Sequence, residues 1–253
     1  MTAEKSLTGK VCVVTGAGAG IGATIARRFA DAGWRVVVND IDAAAAEAVA
    51  GEVSGLAHGG DVSDEAEVQA LMEACRATFG RLDVLVNNAG VAGARRSTEE
   101  MEAADFARTP AVNLRGAMLC IKHAAPLLKQ TRGAVVNLTS RGVRPGRGDY
   151  VASKWALLGL TQAAAHELGL FGVRVNAIAP GTVNTEMSRL SFAQVARREG
   201  RTAEEVLKAH YLDKTALGRM VETDEVAAAA LFLAGEGAGA ITGTELVVNA
   251  GRM

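Results

Sequence analysis

Tyr150 and Lys154 stand four residues apart in a segment with helical patterning, so their side chains share one face of a helix. A free tyrosine titrates near pKa ~10, too high for an efficient base at neutral pH. A neighbouring ammonium favours the phenolate, and the pair could then take a proton from a hydroxyl or return one to a carbonyl oxygen. Y-x-x-x-K also arises by chance in many helices and gains meaning only from what precedes it. His58, His123, His166 and His210 lack metal-ligand spacing, with no pair one helical turn apart, so no metal is expected.

What precedes the pair is a glycine-rich turn, Thr15-Gly16-Ala17-Gly18-Ala19-Gly20-Ile21-Gly22, between a β-branched run and a helical pattern. Its spacing is T-G-x-x-x-G-x-G, with Gly16, Gly20 and Gly22 fixed. Ile21 occupies the place where G-x-G-x-x-G needs its third glycine. Glycines here let the backbone turn tightly and let a pyrophosphate approach the amides of the helix N-terminus. Asp40 ends the next β-branched run, 24 residues after Gly16. A carboxylate there can accept hydrogen bonds from both adenosine ribose hydroxyls and repels a 2′-phosphate. No Arg or Lys stands in the glycine turn or beside Asp40. NAD is therefore expected rather than NADP, the alternative being that Asp40 is only a turn residue before a helix at Asp42.

Residues so far apart must be gathered by the fold. Strands are expected at 11–15, 35–39, 56–61, 82–87, 134–139, 174–178 and 245–249, several of them continuous apolar runs that suit a parallel sheet buried on both faces. Helices are expected at 20–33, 42–53, 64–79, 99–131 with a break near Pro110, 149–170 and 223–235. Ser63 and Thr223, each followed by two acids, read as helix caps. This order predicts an α/β chain with one doubly wound domain over 1–253, a seven-stranded parallel sheet and helices on both faces. Residues 184–217 carry helical patterning without a strand and are expected to form a lid above the C-terminal edge of the sheet.

Composition narrows the function. Of 253 residues, 49% are apolar, enough for a sizeable core. Twenty-seven basic against 28 acidic residues leave a net charge of −1, which argues against nucleic acid or an anionic membrane surface as partner. The 4% aromatic content leaves little for base stacking. The longest apolar run, 226–234, is too short to cross a bilayer, and 1–10 has no signal-peptide core. Cys12, Cys75 and Cys120 form an odd set without a C-x-x-C pair, as reduced thiols of a cytoplasmic protein would.

Taken in order, the glycine turn, Asp61-Val62, Asn87-Asn88-Ala89-Gly90, Asn113, Tyr150-Val-Ala-Ser-Lys154 and Pro180-Gly181-Thr182-Val183-Asn184-Thr185 resemble the short-chain dehydrogenase/reductase family along essentially the whole chain. The resemblance implies a Rossmann-type fold and a metal-free oxidoreductase that interconverts a secondary alcohol and a ketone by direct hydride transfer. It implies that Asp61 and Val62 line the adenine, and that Asn88, Ala89 and Gly90 pack along the cofactor. Pro180, Gly181, Val183 and Thr185 would flank the nicotinamide end. Tyr150 would be the general acid/base, Lys154 its tuner and a ribose ligand, and Asn113 the anchor of a water leading from Lys154 to solvent. Ser140 would stabilise the reacting oxygen. It precedes Tyr150 by ten residues, fewer than is usual in the family, so the connecting loop is read as shortened. Thr139 competes for Ser140's role, but neighbouring strand residues face opposite ways.

The shortened loop holds Arg141, Arg144 and Arg147 with Asp149, and Arg95 and Arg96 follow the NNAG segment. They suggest a hydroxy or keto acid as substrate, with a polyol as the other class. The alternative, that they are solvated loop charges or intersubunit ion pairs, stays open. The helices at 99–131 and 149–170 resemble those through which the family assembles, so a homotetramer is expected. Two other functions remain. An NADPH-dependent reductase of 3-ketoacyl thioesters would be separated by cofactor preference. A nucleotide-binding regulator without turnover would be separated by Tyr150→Phe.

Overall fold

The computed structural model describes residues 9–143 and 146–252. Seven parallel strands form one sheet: β1 (Val11–Thr15), β2 (Arg35–Asp40), β3 (Leu56–Gly59), β4 (Val84–Asn87), β5 (Ala134–Leu138), β6 (Arg174–Pro180) and β7 (Glu245–Val248). Their order is β3-β2-β1-β4-β5-β6-β7. The chain therefore winds outward from β1 in one direction and then, from β4, in the other. Ligands of open α/β sheets bind at such a reversal, beyond the C-terminal ends of the strands.

Alternation within each strand builds two cores. On one face Cys12, Val14, Val36, Val38, Val84, Val86 and Val136 meet helices α1 (Gly20–Asp31), α2 (Ala43–Glu52) and α9 (Thr223–Ala234). On the other face Val11, Val13, Val37, Leu85, Val135 and Val175 meet α3 (Glu65–Phe79), α5 (Ala117–Thr131) and α6 (Gly148–Gly169). A strand covered on both faces must be apolar at consecutive positions, which is why the central strands read as unbroken runs.

The strand assignments hold in number and order, and each expected helix is found in its place, with local corrections. Asp64 rather than Ser63 caps α3, its carboxylate accepting the Ala66 and Glu67 amides, while the Ser63 amide donates to Asp61. Glu222 rather than Thr223 occupies the cap of α9, and its amide donates to Glu225 at 2.9 Å. The segment expected as one broken helix over 99–131 is α4 (Ala103–Pro110), a π-helical turn (Ala111–Gly116) and α5. Pro110 has no N–H to continue the α-helical ladder, and the wider turn begins directly after it.

The 184–217 segment forms α7 (Glu186–Glu199), α8 (Ala203–His210) and a short 3-10 turn, without a strand. It has a small core of its own, Phe192, Ala196 and Val206, with the Tyr211 ring edge-on to Phe192 at 4.8 Å. Among the described residues no helix is long and apolar enough to cross a membrane.

All three cysteines are buried and unbridged. Burial pushes the Cys75 and Cys120 thiols up to about 12 and holds Cys12 well above its ordinary value. Since the thiolate is the reactive form, a maleimide at pH 8 should label none of the three in the native protein and all three in urea. Fast labelling of native protein would show that the packing between sheet and helices opens around these thiols.

Candidate active site

The glycine turn leaves β1 at the reversal point and is fastened to the loop that leaves β4. The Thr15 hydroxyl accepts the amides of Asn88 and Ala89, both at 3.1 Å. The Asn88 side-chain amide donates back to the carbonyls of Thr15 and Gly16, at 2.9 and 2.8 Å. The closeness forbids side chains. A Cβ on Gly16 would stand 2.7 Å from Ala89 Cα, and one on Gly22 would stand 2.3 Å from the Gly16 carbonyl oxygen. Gly16 and Gly20 also have φ of +60° and +57°, conformations that glycine adopts without strain.

Gly20 faces a gap. Among the described residues beyond its own turn and helix, the Thr185 methyl at 4.0 Å is the only atom within 4 Å of its Cβ position. The groove thus runs between the N-terminus of α1, which begins Gly20-Ile21-Gly22, and the segment after β6. In that segment Gly181 abuts Asn249, and Val183 is buried and bridges to Val221. Pro180 ends β6, and the Thr185 hydroxyl caps α7 by accepting the Ser188 amide at 3.2 Å. No side chain caps α1, so its first amides are open to an anion.

Asp40 reaches the turn from β2. One carboxylate oxygen accepts the Gly18 amide at 2.9 Å and the other the Asp42 amide at 3.1 Å. Asp42 itself caps α2, so the turn residue and the groove-facing carboxylate are two different aspartates. Each Asp40 oxygen keeps acceptor capacity for a further donor. Farther out, Asp61 anchors the turn before α3, and buried Val62 packs on Gly116, where a Cβ would meet Val62 Cγ2 at 2.8 Å.

The reacting end lies across the sheet, where β5 meets α6. Lys154 is 6% exposed, and its ammonium donates to the Leu138 carbonyl at 2.6 Å. Burial pushes that ammonium down to about 8. Its Nζ lies 6.0 Å from the centroid of the half-buried Tyr150 ring. Ser140 follows β5 and lines a small crevice with Lys154, Arg141 and Glu245. Its Oγ accepts the Gly142 amide at 3.3 Å. Thr139 is turned away: its hydroxyl lies 2.9 Å from the Ile178 carbonyl and 2.6 Å from Glu245.

Asn113 sits in the middle of the π-helical turn. Its side chain pairs with the Val91 backbone in both directions, at 2.8 and 3.0 Å, and donates to Ser153 at 3.1 Å. A Cβ on Gly90 would lie 3.1 Å from Asn113 Oδ1 and 3.5 Å from Lys154 Nζ. The missing side chain of Gly90 is what lets these two groups approach one point.

Among the described residues the arginines do not form an open cationic field. Arg141 pairs with Glu245, and Arg147 donates to the Ala92 carbonyl at 2.6 Å. Arg95 reaches Gln194 and Ser191 on α7, and Arg96 pairs with Glu102 and Asp105. Arg144 lies outside the described residues. Asp149, read among the loop charges, is wholly buried and accepts the Thr109 hydroxyl and the Ala94 amide. Thr15, Ser153, Thr109, Asp149 and Glu245 support the site without having been read as site residues. Thr15 and Ser153 lay inside quoted motifs, Asp149 beside Tyr150 and Glu245 at the opening of an apolar strand, while Thr109 carried no signal.

Comparison with known proteins agrees with this arrangement. A family model described as enoyl-(acyl carrier protein) reductase matches residues 16–252. The D-threitol dehydrogenase of Mycolicibacterium smegmatis is 40% identical, over 97% of this chain and 93% of its own. The L-fucose dehydrogenase of Mus musculus is likewise 40% identical, over 99% of this chain and 91% of its own. The crystal structure of 3-ketoacyl-(acyl-carrier-protein) reductase from Brucella melitensis, complexed with NADH, superposes with a TM-score of 0.86 at 36% identity, covering 98% of this chain and 99% of that one. With the sheet order and the sequence motifs aligned over nearly its full length, the chain belongs to the short-chain dehydrogenase/reductase family, a family of oxidoreductases.

Proposed function

We propose that this protein is an NAD-dependent oxidoreductase interconverting a neutral secondary alcohol, of the polyol or sugar class, with the corresponding ketone. The observation that carries the reaction is the convergence of Lys154 Nζ and Asn113 Oδ1 on Gly90, beside Tyr150 on the same helix face. The cofactor reading rests on the cradle of Gly16, Gly20 and Gly22, which side chains would fill, and on Asp40 at its rim. The residues fit a dinucleotide: the α1 amides would take the pyrophosphate, Asp40 the adenosine ribose, and Asp61 and Val62 the adenine. Asn88, Ala89 and Gly90 would run along its length, with Pro180, Gly181, Val183 and Thr185 beside the nicotinamide. When bound, that group supplies hydride acceptance and donation.

The chain's own residues handle the proton. Tyr150 takes the hydroxyl proton of the substrate in oxidation and returns it in reduction. The Lys154 ammonium stabilises negative charge developing on the phenolic oxygen, and the Ser140 hydroxyl donates to the reacting oxygen. Asn113, locked to Val91, holds the polar exit beside Lys154. Residues 184–217 act as the lid that encloses substrate, and Arg95 connects that lid to the segment after β4. The protein partners of Arg141 and Arg147 remove the main reason to expect an acidic substrate, and relatives named for threitol and fucose support a hydroxyl-rich one. Cofactor preference alone does not exclude a thioester reductase, because a relative of that name was crystallised with NADH. A homotetramer is supported by Phe106, Met118 and Trp155, which stay exposed on α4, α5 and α6. Three unbridged thiols suit the cytoplasm.

The first test is NADH formation from NAD at mildly alkaline pH, with neutral polyols, hydroxy acids and, in reverse, a 3-ketoacyl thioester. Turnover of the polyols alone is expected. Preference for the thioester, or silence despite tight NADH binding, would replace this reading with a reductase or a regulator.

Tyr150→Phe should cost about 10²–10⁴ in turnover and leave the NADH dissociation constant within about twofold. Asp40→Ala should weaken NAD binding about 10- to 100-fold, the loss of hydrogen bonds to a charged acceptor, and narrow the preference over NADP.

Lys154 gives a pH signature. Its ammonium titrates at about 8 in the fold and near ~10.4 in the unfolded chain. Between these values the unfolded state binds more protons, so stability of the cofactor-free protein rises with pH across that window. Below pH 8 the burial cost is felt in full. The stability difference between wild type and Lys154→Met should change by on the order of 3 kcal/mol between pH 7 and 10.5. A flat difference would mean that the ammonium is solvated.

A further inference from the structure

We propose that two buried carboxylates, Glu245 and Asp149, are positioning residues that fix Ser140 and Tyr150 relative to each other from the two ends of the short β5–α6 connection. The inference rests on the roles given to Ser140 and Tyr150 above, and each end is argued from its own contacts.

At the first end, Glu245 opens β7 with its side chain only 4% exposed. Its Oε1 accepts the Thr139 hydroxyl at 2.6 Å, and its Oε2 accepts Arg141 Nε. Thr139 and Arg141 are the two neighbours of Ser140 in sequence, so one carboxylate holds the peptide on both sides of the serine. The peptide cannot rotate Ser140 out of the crevice it shares with Lys154 without breaking a charge-assisted bond. Arg141 is 56% exposed and offsets a charge that would otherwise be stranded.

At the second end, Asp149 is fully buried in the first turn of α6 and directly precedes Tyr150. Its Oδ2 accepts the Thr109 hydroxyl at 2.6 Å and the Ala94 amide at 2.8 Å. Burial alone would raise this carboxyl, but the bonds from Thr109 and Ala94, with the backbone amides at the start of α6 beside it, outweigh it and leave the group below the usual carboxylate range. Asp149 thus stays an ionised acceptor at working pH. The same segment after β4 is tied to the start of α6 twice more, by the Arg96–Arg147 bridge and by Arg147 on the Ala92 carbonyl. Gly93, at φ +77°, passes so close that a Cβ would stand 2.5 Å from Asp149 Oδ2. A carboxylate in a dry site is costly unless its bonds are well made, and an apolar residue would fill either position more cheaply. Glu245 instead holds both neighbours of Ser140, and Asp149, itself the neighbour of Tyr150, is held by two other segments.

The test compares Glu245→Gln, Asp149→Ala and Asp149→Asn with wild type, using the alcohol that wild type turns over best. Glutamine has one acceptor where glutamate has two, so it cannot accept from Thr139 and Arg141 at once, and alanine releases Ala94 and Thr109. Each should lower kcat about 10- to 100-fold, with NADH affinity within about twofold of wild type. Asparagine keeps an acceptor for Ala94 and should retain activity within about threefold, since a neutral acceptor still makes the bond. Should either charge-removing variant fold poorly, Thr139→Val and Thr109→Val remove one bond from each end and should lower kcat in the same direction.

Unchanged kcat in folded Glu245→Gln and Asp149→Ala would overturn the proposal. So would loss of NADH affinity equal to the loss of turnover, which marks general damage to the fold. Amide hydrogen exchange at Ala94 reads the second end without any substrate. Exchange should be faster in Asp149→Ala than in wild type and near wild type in Asp149→Asn; equal exchange in all three would overturn that end. If wild type oxidises no alcohol, the functional reading fails while the exchange result still decides whether Asp149 holds the segment.

Discussion

The bonds between Thr15 and Asn88 hold two loops that leave adjacent strands on opposite sides of the sheet's reversal. After β1 the chain turns toward α1 on one face, and after β4 it heads for the helices on the other. Their strand ends would otherwise leave backbone groups unsatisfied at a buried place. A hydroxyl that accepts two amides, answered by a side-chain amide that covers two carbonyls, resolves both demands in a few ångströms. The cost is steric: no side chain fits at 16 or 22. The glycines that make room for a dinucleotide are thus required by the packing of protein on protein.

Burial of Lys154 extends the same logic to the reacting end. An ammonium removed from water needs an oxygen partner, and the carbonyl of Leu138, the last residue of β5, supplies it. That bond ties α6, one turn beyond Tyr150, to the strand end that Ser140 follows. The polar interior continues behind it: Asn87 donates to Asn137 across the sheet at 2.8 Å, and Asn137 donates to Thr161 of α6 at 2.9 Å. These bonds fix the register of α6 along the sheet more sharply than apolar contacts could, because their geometry is directional.

Much of this was legible from the residues. Strand positions were readable because both faces of the sheet are covered, so Val11–Val14 and Val36–Val38 show as runs. The glycine turn was readable because sterics admit one residue type there. Cap positions slipped by one because Ser63 and Asp64 are both good caps, and only the Asp61 turn decides which is free to serve. The π-helical turn was hidden because Pro110 announces a disturbance without saying how the ladder repairs itself. The partners of the arginine loop were hidden for a different reason. A guanidinium on a long stem finds a partner well away from its place in sequence, and Arg141 meets Glu245 across 104 positions. Nothing local in the sequence marks that pairing.

Side-chain reach also orders the site as a connected series. Arg95 joins α7 of the 184–217 segment to the loop after β4. That loop is bound to the start of α6 through Ala92, Ala94 and Arg96, and α6 carries Tyr150 and Lys154. A displacement of the helical segment is therefore felt first at residues 92–96, and reaches Tyr150 and Lys154 through the ties of that loop to Arg147 and Asp149. The glycine turn is fastened separately, through Thr15 and Asn88. Because the two fastenings share β4 but not its side-chain partners, changes at the substrate side can be absorbed without loosening the groove. A scaffold divided in this way can vary the alcohol it accepts while keeping its nucleotide site, since the directional bonds that define each are made by different residues.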